Sequence, residues 1–183
     1  MTQPLNQTAM KRLLPICLAL FLGFSTNLNA QGGNTCAAAA AAPITLPFSG
    51  TGSTCNGTDD INNLTSNCTS VPAIYTTGPD WFYYFCATTT QQISISLSNI
   101  NPCPAWSSIS VYTGCPTAAN CVAGNTSTAC TQGLTMSVVA SQCYYIMIDN
   151  WPTPACFAYN LDIQPIVPPP CNPQCTNADF ENG

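Results

Sequence analysis

The sequence predicts an all-β protein, a disulfide-rich antiparallel β-sandwich. Three observations carry this. Apolar residues recur with period two in several short runs. Glu, Lys and Arg are nearly missing, whereas Thr, Ile, Val and Tyr are plentiful. Of thirteen cysteines in 183 residues, all but Cys17 lie beyond an export-type leader, an even set suited to disulfides.

Residues 1–30 have the form of a secretory signal peptide. Lys11 and Arg12 head an apolar run from Leu13 to Phe24, and Ala30 offers a small residue for cleavage. The run is too short for a membrane span. Cys17 lies inside it, where a lipidated cysteine would follow it. Residues 31–42 include six alanines ahead of Pro43, too few to hold a helix alone, and are expected to be a flexible lead-in.

Residues 43–165 form the predicted sandwich. Ile44 to Phe48 is the expected first strand. Trp81 to Phe85 is aromatic throughout, so cover is expected on both faces. Ile93, Ile95 and Leu97 alternate with serines, as do Ile109 and Val111. Leu134, Met136 and Val138 alternate with Thr135 and Ser137. Tyr144, Ile146 and Ile148 share one face of the next run. Phe157, Tyr159, Leu161 and Ile163 share one face of the last. These final two runs are expected to pair as a hairpin. Turn residues stand between the runs at Gly78-Pro79-Asp80, Asn101 to Pro104, Thr113 to Pro116 and Asn150-Trp151-Pro152. Residues 166–183 continue as a Pro- and Cys-rich linker, stiff and extended, and then as the expected start of a following domain.

Charge narrows function. Cleavage after Ala30 leaves seven carboxylates and no Lys, Arg or His. Nucleic acid and anionic membrane surfaces need cations and are excluded as partners. Histidine-based nucleophilic catalysis, lysine Schiff bases and cationic phosphate clamps are excluded with them. The cysteines lack the spacing and the histidines of a zinc site. Locally plausible disulfides are Cys55 with Cys68, Cys115 with Cys121, and Cys171 with Cys175. Connectivity itself cannot be read from sequence.

Three segments resemble the bacterial pre-peptidase C-terminal domain of secreted modular proteins. Gly78 to Phe85 is similar to that family's Gly-x-Asp followed by an aromatic strand. Ile109 to Gly114 is similar to its strand ending in Tyr-x-Gly. Tyr144 to Asp149 with Phe157 to Ile163 is similar to its closing pair. The resemblance covers about residues 43–165. It implies a jelly-roll-like sandwich attached to secreted enzymes or adhesins, with an accessory role. The cysteine density and the absence of cations depart from the family pattern.

Candidate sites are few. Asp59, Asp60, Asp80 and Asp149 are the candidate metal ligands, and calcium, which takes oxygen ligands, is the candidate cofactor. Trp106 and Trp151, with Asn150, are the candidate ligand-binding residues, since exposed aromatics stack on sugars and amides hydrogen-bond them. The first reading is a secreted, non-catalytic accessory or adhesion module of a larger extracellular protein. Its expected partners are a glycan or protein surface and the neighbouring domains. The second is a calcium-dependent carbohydrate-binding module. The third, a glycosidase using paired Asp, lacks the cations that usually hold sugar hydroxyls.

Overall fold

The computed structural model describes residues 31–64, 68, 70–151 and 154–167. The expected leader and most of the expected linker, with Cys171 and Cys175, lie outside the described residues. Eight strands are present among the described residues: β1 (Phe48–Ser53), β2 (Trp81–Cys86), β3 (Gln91–Asn101), β4 (Ser107–Tyr112), β5 (Cys121–Ser127), β6 (Gln132–Val138), β7 (Cys143–Asn150) and β8 (Ala158–Pro165). They form two antiparallel four-stranded sheets, ordered β1-β8-β3-β6 and β2-β7-β4-β5. This is jelly-roll connectivity, in which successive strands cross between sheets except at the β4–β5 hairpin.

The period-two runs set the core. Ile93, Ile95, Leu97, Leu161 and Ile163 from one sheet meet Tyr83, Phe85, Ile109, Val111, Ile146 and Ile148 from the other. Each side chain of this size stabilises by about 1.5–3 kcal/mol when fully buried. Polar links also cross between the sheets: the Tyr83 and Tyr159 hydroxyls lie 3.2 Å apart, and the Gln132 side-chain amide donates to the Ser107 hydroxyl at 2.7 Å. The outer face of β1-β8-β3-β6 is polar, with Ser94, Ser96 and Ser98 alongside Asn160, the Asp162 carboxylate and Gln164.

The other sheet is covered on both sides, as the all-aromatic run required. Its outward residues Phe82, Tyr112 and Met147 pack with Ala39, Cys68 and Val71. Ala39 belongs to a short helix, α1 (Cys36–Ala41). The 31–42 segment is therefore not a flexible lead-in, which corrects the sequence expectation. Six residues cannot sustain a helix alone. Here Thr35 caps it by accepting a hydrogen bond from the Ala38 amide at 3.1 Å. Gly33 exchanges backbone hydrogen bonds with Phe82, and a disulfide ties Cys36 to Cys115. Gly32 has φ +105°, and a Cβ there would lie 2.6 Å from the Phe82 carbonyl oxygen.

Two further expectations are corrected. The first strand begins at Phe48, while Ile44 instead donates its amide to the Tyr84 carbonyl. β1 reads Phe-Ser-Gly-Thr-Gly-Ser and shows no apolar alternation. Its glycines make room for rings: a Cβ at Gly52 would collide with the Tyr83 hydroxyl and the Tyr159 ring. β7 and β8 do not pair as a hairpin, because they lie in opposite sheets. The chain crosses between them through residues 151–157.

Disulfide connectivity differs from the local pairs expected. Cys55 joins Cys156, Cys68 joins Cys121, and Cys115 joins Cys36. Cys86–Cys143 and Cys103–Cys130 complete the set among the described residues. The sandwich brings distant loops side by side, so the bridges follow tertiary proximity and not sequence proximity.

Candidate functional site

The antiparallel topology sends the 54–80, 102–106, 128–131 and 151–157 connections to one end of the sandwich. Disulfides link these loops in pairs. Cys55–Cys156 joins the first to the last, and Cys103–Cys130 joins the middle two. The candidate residues collect at this end.

Asp80 ends the first loop and Asp149 lies near the end of β7, and both are fully buried. Asp80 Oδ2 accepts hydrogen bonds from the amides of Asp60 at 2.9 Å and Ile61 at 2.7 Å. Asp149 Oδ1 accepts from the amides of Gly78 at 3.2 Å and Asn150 at 2.5 Å. Asp80 Oδ1 and Asp149 Oδ2 receive no donor from any other group. They are left to each other, and one proton between them satisfies both. Burial, then the neighbouring Asp80 charge, pushes the Asp149 carboxyl far above the ordinary range, so it carries that proton. Burial also raises Asp80, to about 6, against the lowering effect of its hydrogen bonds to Asp149, Ile61 and Asp60.

The four candidate metal ligands meet only in part. Asp59 and Asp60 are exposed and bonded locally, to the Asn62 side-chain amide and the Thr58 hydroxyl respectively. Among the described residues no group of three or more His, Cys, Asp or Glu side chains is arranged to hold a metal. The facing carboxyls offer two oxygens without another partner, whereas calcium takes six to eight. Fully buried carboxyls in hydrogen-bonding contact also lack the open separation of roughly 5–9.5 Å that glycoside hydrolysis requires.

Asn150 is not a ligand-facing residue, which corrects its assignment. It is buried, and its amide donates to the carbonyls of Trp151 at 3.0 Å and Pro154 at 2.8 Å. Its Oδ1 accepts from the Thr54 hydroxyl at 3.4 Å. It shapes the loop that presents Trp151.

The two tryptophans do meet. The Trp106 and Trp151 rings lie 4.7 Å apart at 87°, edge to face. The Trp151 amide donates to the Trp106 carbonyl at 2.9 Å. Tyr75 completes the group, with ring centroids 6.1 Å from Trp106 and 6.2 Å from Trp151. Trp106 is 39% exposed, and the other two are half-buried. Tyr75 was missing from the sequence reading. Its only signal was an aromatic in a polar loop, outside any alternating run. The Ser108 hydroxyl fixes its backbone by donating to the Tyr75 carbonyl at 3.1 Å.

No family model and no curated protein matches the chain. Among solved structures it is similar to a GH26-CBM35 β-(1,4)-mannanase of Podospora anserina, with 13% identity and a TM-score of 0.36. That match covers 68% of this chain and 29% of the mannanase chain, and so spans under a third of the neighbour's length. The likeness is too slight to bear on what the chain binds.

Proposed function

We propose that the chain is a secreted, non-catalytic accessory module of a larger extracellular protein, of the pre-peptidase C-terminal type, and that it engages a carbohydrate. The supporting observation is the Tyr75, Trp106 and Trp151 cluster, three rings from three loops held partly open to solvent. Buried Trp and Tyr serve a core, but rings left half in water at a loop-rich end offer apolar faces to a ligand. The buried carboxyls favour a structural over a catalytic role for the acidic residues.

Binding to a panel of polysaccharides, measured by calorimetry or affinity electrophoresis, tests the reading. Trp106→Ala is expected to weaken binding about tenfold or more, as truncation of a central aromatic anchor does. A melting temperature within a few degrees of the parent's would show that the fold survives. Equal binding by Trp106→Ala and the parent would overturn the site. Binding to a protein and to no glycan would favour adhesion through a protein surface instead.

A further inference from the structure

Resting on that carbohydrate reading, we propose that the ligand is an uncharged, soluble glycan chain. One of its sugars seats in the angle between the Trp106 and Trp151 rings.

Ring geometry selects the physical form of the ligand. A crystalline polysaccharide presents a flat face, and rings that grip it must share a plane. Here the indoles stand at 87° to each other, and Tyr75 is tilted 36° from Trp106 and 57° from Trp151. No two rings are coplanar. An angle of this kind holds a convex object, such as a single pyranose of a chain free in solution. The C–H edge of that sugar would lie against one π face, where the ring quadrupole is negative.

The loops are braced to keep that angle. The Trp151 amide is tied to the Trp106 carbonyl, Asn150 holds the carbonyls of Trp151 and Pro154, and Cys55–Cys156 clamps the β7–β8 loop to the β1–β2 connection. Each of these ties reduces the conformational freedom that binding would otherwise cost.

Charge selects the chemical class. The sequence has no Lys, Arg or His after Arg12. A uronate, sialic acid or sulfate would therefore find no counter-charge. The exposed carboxylates of the chain, Asp59 and Asp60 among them, would instead repel it over the distance that salt leaves unscreened. Anionic glycans are disfavoured by repulsion, and a neutral glycan is not.

The test uses the full secreted chain against three classes of probe: soluble neutral β-linked oligosaccharides, uronate- or sulfate-bearing oligosaccharides, and microcrystalline cellulose and chitin. Retention is expected on at least one soluble neutral probe, unchanged between 0.05 and 0.5 M salt, with at least about tenfold weaker retention on acidic probes. No depletion by the crystalline solids is expected. Trp151→Ala should lose binding about tenfold or more, and Trp151→Phe, which keeps an aromatic face, should retain most of it. The second variant guards against simple misfolding of the loop. Binding confined to crystalline or acidic probes overturns this inference while leaving the carbohydrate reading standing. No binding to any of the three classes overturns both.

Discussion

Asp149 and Asp80 interact side chain to side chain in a fully buried site, each holding backbone amides with one oxygen and leaving the other without a further donor. The amides belong to Asp60, Ile61, Gly78 and Asn150. The pair thus fastens two stretches of the long β1–β2 connection to the end of β7. This is the connection that carries Tyr75.

Stability should fall as pH rises. Both carboxyls have folded-state pKa values raised above the ordinary value of 3.8, with Asp80 near 6 and Asp149 higher. A raised value means the folded state holds protons that the unfolded chain releases. The contribution is complete below about pH 4 and declines as pH climbs through the folded values. Between pH 4 and 7 the loss from Asp80 alone is of the order of 2 kcal/mol, and alkaline pH removes the Asp149 contribution as well. Denaturant unfolding at pH 4.5, 7 and 9 measures this. A stability maximum at pH 9 would contradict it.

Asp149→Asn should flatten that profile. The amide oxygen still accepts from Gly78 and Asn150, and the amide nitrogen donates to Asp80 as the shared proton did. The variant is expected to match the parent near pH 5 and to exceed it above pH 8. Parallel pH profiles for parent and variant would show that Asp149 is not the titrating group.

Gly78→Val should be strongly destabilising. A Cβ at Gly78 would stand 2.4 Å from the Asn150 carbonyl oxygen and 2.7 Å from its side-chain Oδ1. The loop cannot retreat without breaking the Gly78 hydrogen bond to Asp149. A loss of about 2–4 kcal/mol is expected, read as a shift in denaturant midpoint. A shift under 0.5 kcal/mol would mean that the loop moves freely.

Replacing Cys55 and Cys156 together by serine should cost about 2–5 kcal/mol, since the bridge closes a separation of 101 residues. The same change should loosen the Trp151 loop. Glycan binding should then fall further than stability alone explains at temperatures where the variant remains folded. Unchanged affinity in the folded variant would show that the bridge does not brace the rings.

Thr35→Ala removes the cap of α1 and should cost about 1 kcal/mol. Amide exchange should quicken at Ala38 and its neighbours, while the Ile93 and Ile146 amides in the central strands stay protected. Uniform quickening across the sheets would mean that α1 is part of the main cooperative unit.

Much of the fold was legible because one face of each run had to be dry. Ile93 to Leu97 and Tyr144 to Ile148 announced both their strands and their buried sides. β5, Cys121 to Ser127, escaped because it is an edge strand of Ala, Gly, Asn, Thr and Ser with no apolar face. β1 escaped because its glycines are there to accommodate the rings of other strands. Helix α1 escaped because its stability comes from Phe82, Cys115 and the Thr35 cap and not from its alanines. At the site, Trp106 and Trp151 were legible as aromatics stranded in loops. Their meeting with Tyr75, the contact between Asp80 and Asp149, and the inward turn of Asn150 depend on which loops share an end. Local pattern carries no such information, and the disulfide partners were hidden for the same reason.

The Cys55–Cys156 bridge has a mechanical consequence. β1 and β8 are antiparallel neighbours, with Phe48 opposite Ile163. Tension drawn on Pro165 would peel β8 from its neighbours one hydrogen bond at a time, starting at the Phe48–Ile163 end, the weakest loading geometry a sheet offers. The peeling stops at Cys156, where the bridge hands the load to Cys55. At the other end Cys36–Cys115 passes tension from the chain ahead of β1 straight to the connection before β5, so β1 itself is bypassed. Under force the Cys55–Cys156 bridge therefore limits what β8 can release to the short stretch that follows Cys156, and the end that carries the three rings stays tied to β1.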